Sequence, residues 1–122
     1  MKIVAILLFV LMIQLPLFPQ GGEVVEMTLH DFMHDYTKPV FKKYKLDGKA
    51  DKLKRILEAI PAMAPQKDRE KWQTIVTKSL QSGDYKSSCG SCHRPFKKSY
   101  KAKFRKRPVM IEKDLIVFLK KK

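Results

Sequence analysis

Two cysteines in 122 residues exclude a disulfide-stapled scaffold. They also exclude a closed four-thiolate zinc site, because there is no second pair to complete it. Glycine is sparse, at five residues, and none of them builds a Gly-rich phosphate loop. No internal repeat and no low-complexity tract interrupts the chain, and strands alternating with helices in the manner of a βαβ unit are absent. No group of residues reads as a catalytic acid, base or nucleophile, so the chain does not read as an enzyme. Acidic residues number twelve against 26 Lys and Arg, which leaves a net charge of +14.

One long apolar run exists, from Ile3 to Phe18, after a short basic start at Met1 and Lys2 and before the small and polar residues Gln20 to Glu23. Gln14 and Pro16 interrupt it, and it falls short of the ~20 residues of a membrane span. Residues 1–22 are therefore expected to be a signal peptide, cleaved near Gly21 or Gly22, which places the mature chain in the periplasm or otherwise outside the cytoplasm. Its loss removes one positive charge, Lys2, and leaves +13. About 100 residues remain, enough for one domain with a modest core. So basic a domain attracts nucleic acid, anionic lipid or acidic protein. Export removes nucleic acid, leaving an acidic redox protein or an anionic membrane surface as the expected partner.

The most informative stretch is Cys89-Gly90-Ser91-Cys92-His93, the Cys-x-x-Cys-His signature of covalent haem c. On a helix the two thiols and the imidazole fall at i, i+3 and i+4, so all three address one flat ligand. The expected cofactor is a single covalent haem, held by Cys89 and Cys92 with His93 as proximal iron ligand. A disulfide across the pair or a thioredoxin-like redox pair leaves the trailing His93 unexplained, and a zinc site would need His30 and His34 to join His93 and the thiolates.

Around this motif the periodicity is helical. Leu29, Phe32, Met33, Tyr36, Val40, Phe41 and Tyr44 form a stripe from Met27 to Tyr44, with Thr28 and Asp31 in a capping-box arrangement and Pro39 expected to kink or divide the helix. A second helix is expected over 49–62, with Ala50, Leu53, Ile56, Leu57 and Ile60 inward, and a third over 66–81, with Trp72, Ile75, Val76, Ser79 and Leu80 inward. The fourth carries Tyr85, Cys89, His93, Phe96, Tyr100 and Phe104 on one stripe, with Pro95 expected to kink it or to restart it. Arg94, Lys97, Lys98, Lys101, Lys103, Arg105, Lys106 and Arg107 flank that stripe without an acidic residue between them. Residues 23–108 are thus expected to be a haem-binding helical domain. Residues 109–122 form a C-terminal extension, either a short helix or a strand-like tail.

Four helical segments with the haem signature in the last resemble the class II c-type cytochromes, the family of cytochrome c prime and its low-spin relatives. The resemblance spans about residues 27–107, and Cys89, Cys92 and His93 match the family motif residue for residue. It implies an all-α fold, an antiparallel four-helix bundle with the haem between the first and last helices, here followed by a short C-terminal extension. Pro95 and that extension depart from the pattern. In low-spin members a Met of the first helix is the sixth iron ligand, a role carried over to Met33; Met27, His30 and His34 are the competing residues. Met33 as ligand implies an electron carrier, whereas an open sixth position implies a five-coordinate haem that binds NO or CO. Tyr36, Trp72, Phe96 and Tyr100 are expected to wall the cofactor off from water.

Overall fold

A computed structural model describes residues 22–122. The expected signal segment, 1–22, lies outside these apart from Gly22. The described chain is mostly helical with one small sheet, where the sequence predicts an all-α bundle and leaves only the C-terminal extension open to a strand-like form. Strand β1 (Val24–Thr28) pairs antiparallel with β2 (Pro108–Glu112), with Val25 opposite Ile111 and Met27 opposite Val109. Met27 therefore belongs to a strand, and the first helix starts two residues later. Two stretches at opposite ends of the domain sequence hydrogen-bond to each other. That pairing is invisible to local periodicity.

Thr28 ends the strand and caps the helix, its Oγ1 accepting from the Asp31 amide at 3.1 Å. The helical run then continues as α1 (Leu29–Phe32), a π-helical turn (Met33–Thr37) and α2 (Lys38–Asp47), with helical backbone at both junctions. The π turn answers the Pro39 problem. A proline one residue into α2 cannot donate to the preceding turn, and the wider turn, in which the Lys38 amide donates to Met33 O, absorbs the misfit without a break. Gly48, at φ 71°, ends α2 in the left-handed conformation that glycine adopts freely.

Helix α3 (Asp51–Met63) buries Leu53, Ile56, Leu57 and Ile60, the stripe its periodicity predicts. A 3₁₀ turn (Gln66–Asp68) follows Pro65 and leads into α4 (Arg69–Ser82), which buries Trp72, Val76 and Ser79. Gly83 closes α4 in the left-handed conformation, and Asp84 caps α5 (Tyr85–Phe104). So short a link folds α5 back along α4, and Trp72 near the start of α4 meets Phe96 and Tyr100 in the second half of α5, each at 5.9 Å between ring centroids. Pro95 does not start a new helix; it sits exposed in the middle of a single 20-residue element.

The C-terminal stretch is part of the core. After β2, α6 (Lys113–Lys120) buries Leu115, Ile116 and Leu119, which join Val109 and Ile111 in the same cluster as Phe32, Leu53, Ile56 and Trp72. Lys52 of α3 donates to the Leu119 carbonyl at 3.0 Å and also to that of Lys121, satisfying acceptors at the end of α6. Arg107 donates to the Met63 carbonyl, tying the end of the α5 segment to the end of α3. Among the described residues no helix is long and apolar enough to cross a membrane.

Candidate functional site

Helix α5 places the motif within its first ten residues, and the Asp84 cap fixes where the helix begins. Asp84 Oδ1 accepts from the Ser87 amide at 3.1 Å, and its other oxygen accepts from the Ser87 hydroxyl. These bonds hold the Asp84 carboxyl below its ordinary range. One turn on, Ser88 is buried and donates to the Tyr85 carbonyl at 2.7 Å, so its hydroxyl is satisfied inside the helix. Tyr85 itself meets Tyr44 edge-on at 6.0 Å, which anchors the start of α5 to the end of α2.

Cys89 and Cys92 follow as half-buried free thiols one turn apart. Burial pushes both thiols upward, with the Ser88 hydrogen bond opposing it at Cys89 and the Cys89 charge adding to it at Cys92. Both are protonated at neutral pH. His93 is exposed at the margin of the same face, and partial desolvation, followed by the Lys97 ammonium, lowers its pKa. The imidazole is neutral at neutral pH and keeps a lone pair for a metal. Past it, Phe96, Tyr100 and Phe104 extend the face, with Tyr100 and Phe104 at 5.6 Å. Trp72 is a core residue, as its type suggests, yet its Nε1 and the Tyr100 Oη are buried with no hydrogen-bond partner.

The structure therefore brings Cys89, Cys92 and His93 together on one helical face beside an aromatic wall of Trp72, Phe96 and Tyr100. It does not bring His30 or His34 to them. Both are well exposed, with side-chain accessibilities of 72 % and 64 %. No cluster of three or more His, Cys, Asp or Glu able to hold a metal ion occurs among the described residues. Met33 stands on the π turn, half-buried and packed against the core cluster, and that turn's main contacts are with α1 and α2. Tyr36 lies on the same turn, under the Lys120 ammonium at 5.9 Å. The donor set is chemically suited to a covalent haem. It has two free thiols at the motif spacing and one neutral imidazole on the same helix.

Sequence reasoning missed β1, its pairing with β2, and the His–Asp pairs of the first helical stretch; for β2 it offers only a strand-like tail as one alternative. A signal for the pairs was present in the repeated His-Asp at 30–31 and 34–35.

No protein-family model matches the chain, and neither a curated protein nor a solved structure matches it significantly.

Proposed function

We propose that the chain is an exported, monohaem c-type cytochrome that carries single electrons between redox partners, on the antiparallel four-helix plan of the class II family. The observation that carries this reading is the shared face of Cys89, Cys92 and His93 on α5. When bound, haem c supplies a one-electron iron centre. Cys89 and Cys92 hold it through thioether links. His93, neutral and at the edge of the face, is the proximal iron ligand.

Met33 is the proposed distal ligand. Its half-buried place against the core suits a thioether better than the exposed faces of His30 and His34 suit an imidazole ligand. Trp72, Phe96 and Tyr100 exclude water from one side, and Tyr36 does so from the first helical stretch. The basic run from Arg94 to Arg107 lies along the same helix, and an acidic redox protein is the partner it would steer.

The visible spectrum, oxidised and reduced, of protein made in a host that attaches haem tests the reading. A low-spin spectrum whose oxidised form has the weak far-red sulfur-to-iron band supports His93 and Met33. A low-spin spectrum without that band removes Met33. High-spin iron that shifts when CO is added replaces electron transfer by gas binding.

A further inference from the structure

Outside the haem helix, one cluster of metal-ligating side chains has no part in the proposed function. His30 and His34 lie one turn apart on the exposed side of the first helical stretch. Their rings are stacked, with centroids 6.1 Å apart and planes within 12° of parallel. Each imidazole turns Nδ1 to the carboxylate of the next residue, His34 to Asp35 at 2.7 Å and His30 to Asp31 at 3.4 Å. An imidazole that donates from Nδ1 carries its lone pair on Nε2. A carboxylate behind a histidine is also the usual outer partner of a metal ligand, because it fixes the tautomer and makes the ring more basic. Asp31 is itself placed by the helix start, where its backbone amide donates to Thr28 Oγ1 at 3.1 Å.

The local charge favours a cation. From Gly22 to Thr37 there is no Lys or Arg, while Glu23, Glu26, Asp31 and Asp35 are all present, and every basic residue of the described chain lies at Lys38 or beyond. Lys113 is engaged with Glu23, at the other end of this stretch. The nearest basic groups the structure shows are Lys38, next in the chain, and Lys120 over Tyr36, so four carboxylates are local to the two rings in an otherwise basic protein.

We infer that His30 and His34 form a two-imidazole site for a divalent transition-metal ion of the nickel, copper and zinc class, with Asp31 and Asp35 orienting the rings. A modest rotation of two exposed rings brings both Nε2 atoms to bonds of about 2 Å. With two protein ligands the rest of the coordination sphere is water, so the ion exchanges readily. The inference does not rest on the haem reading.

Calorimetric titration of the full haem-loaded chain with Ni(II), an ion that imidazole suits, tests it. One site per chain is expected. H30Q and H34Q should each weaken it at least about tenfold, since the second bond of a chelate forms intramolecularly. The D31N/D35N double variant should weaken it by up to about tenfold. Absence of binding, binding unchanged in H30Q/H34Q, or single variants within a factor of about two of the parent would each overturn the site. Both histidines are exposed, so helix content by circular dichroism should stay unchanged. The visible haem spectrum separates the two readings: a change in either histidine variant would make that residue an iron ligand and end this proposal, while leaving covalent haem intact.

Discussion

In the proposed function, Met33 is the residue on which the type of haem chemistry would turn. Replacing it by Ala removes a half-buried thioether that packs on the core cluster. A loss of about 1–3 kcal/mol in stability is expected from the packing alone. If the thioether binds iron, the low-spin spectrum is lost as well, and an unchanged spectrum would remove Met33 from the ligand set. Tyr100 makes the opposite kind of prediction. Its hydroxyl is buried without a partner, and such a group costs ~1–3 kcal/mol to bury. In haem-free protein, Tyr100→Phe should therefore leave denaturant stability unchanged or raise it by up to about 1 kcal/mol. A clear loss would mean that the hydroxyl has a partner.

Helix α5 depends on its cap. The Asp84 carboxyl is depressed by its bonds to Ser87, so its contribution is complete above the unfolded carboxylate pKa of about 4 and is lost as pH falls through the lower native value. Asp84→Asn keeps a neutral cap and removes the charge. The Tm difference between parent and variant should be constant near neutrality and shrink towards zero in acid; a difference that persists in acid would contradict this assignment. The sheet is a second element with a clear dependence. Ile111 is 1 % exposed in a strand whose only partner among the described residues is β1. Ile111→Ala should cost about 2–4 kcal/mol by denaturant unfolding. A cost below ~1 kcal/mol would show that the strand pair is peripheral.

These elements also show what the sequence discloses. The stripes of α3 and α4 are legible because one face of each is buried throughout, and the motif on α5 is legible because its chemistry fixes its spacing. The strands are not: β2 is five residues long, and the alternation of Val109 and Ile111 acquires meaning only opposite Val25 and Met27. Pro39 and Pro95 mislead for a related reason. A π turn at one, and an exposed position at the other, let helical backbone continue where local rules predict a break. Met33 could be named as a candidate, but the distance from Met33 to the motif depends on how separate elements pack, which periodicity does not encode.

At the scale of the whole molecule, a net charge of +14 sets how partners are met. If the chain exchanges electrons with an acidic protein, as proposed, that exchange should slow steeply as salt rises, because charges separated by more than the ~10 Å screening length at 0.1 M no longer steer approach. Replacing Lys97, Lys98 and Lys101 together by Glu should slow that exchange by about tenfold or more at low salt and leave the haem spectrum unchanged. An equal rate would show that the partner docks elsewhere.

The central claim is that Cys89 and Cys92 are joined to a haem. Intact mass and acid extraction of protein from a host that attaches haem test it most directly. A covalent haem would add the mass of one haem to the chain, keep the colour with the protein through extraction, and leave no free thiol after unfolding. A chain without the added mass, or one that releases its pigment and shows two free thiols, would contradict it.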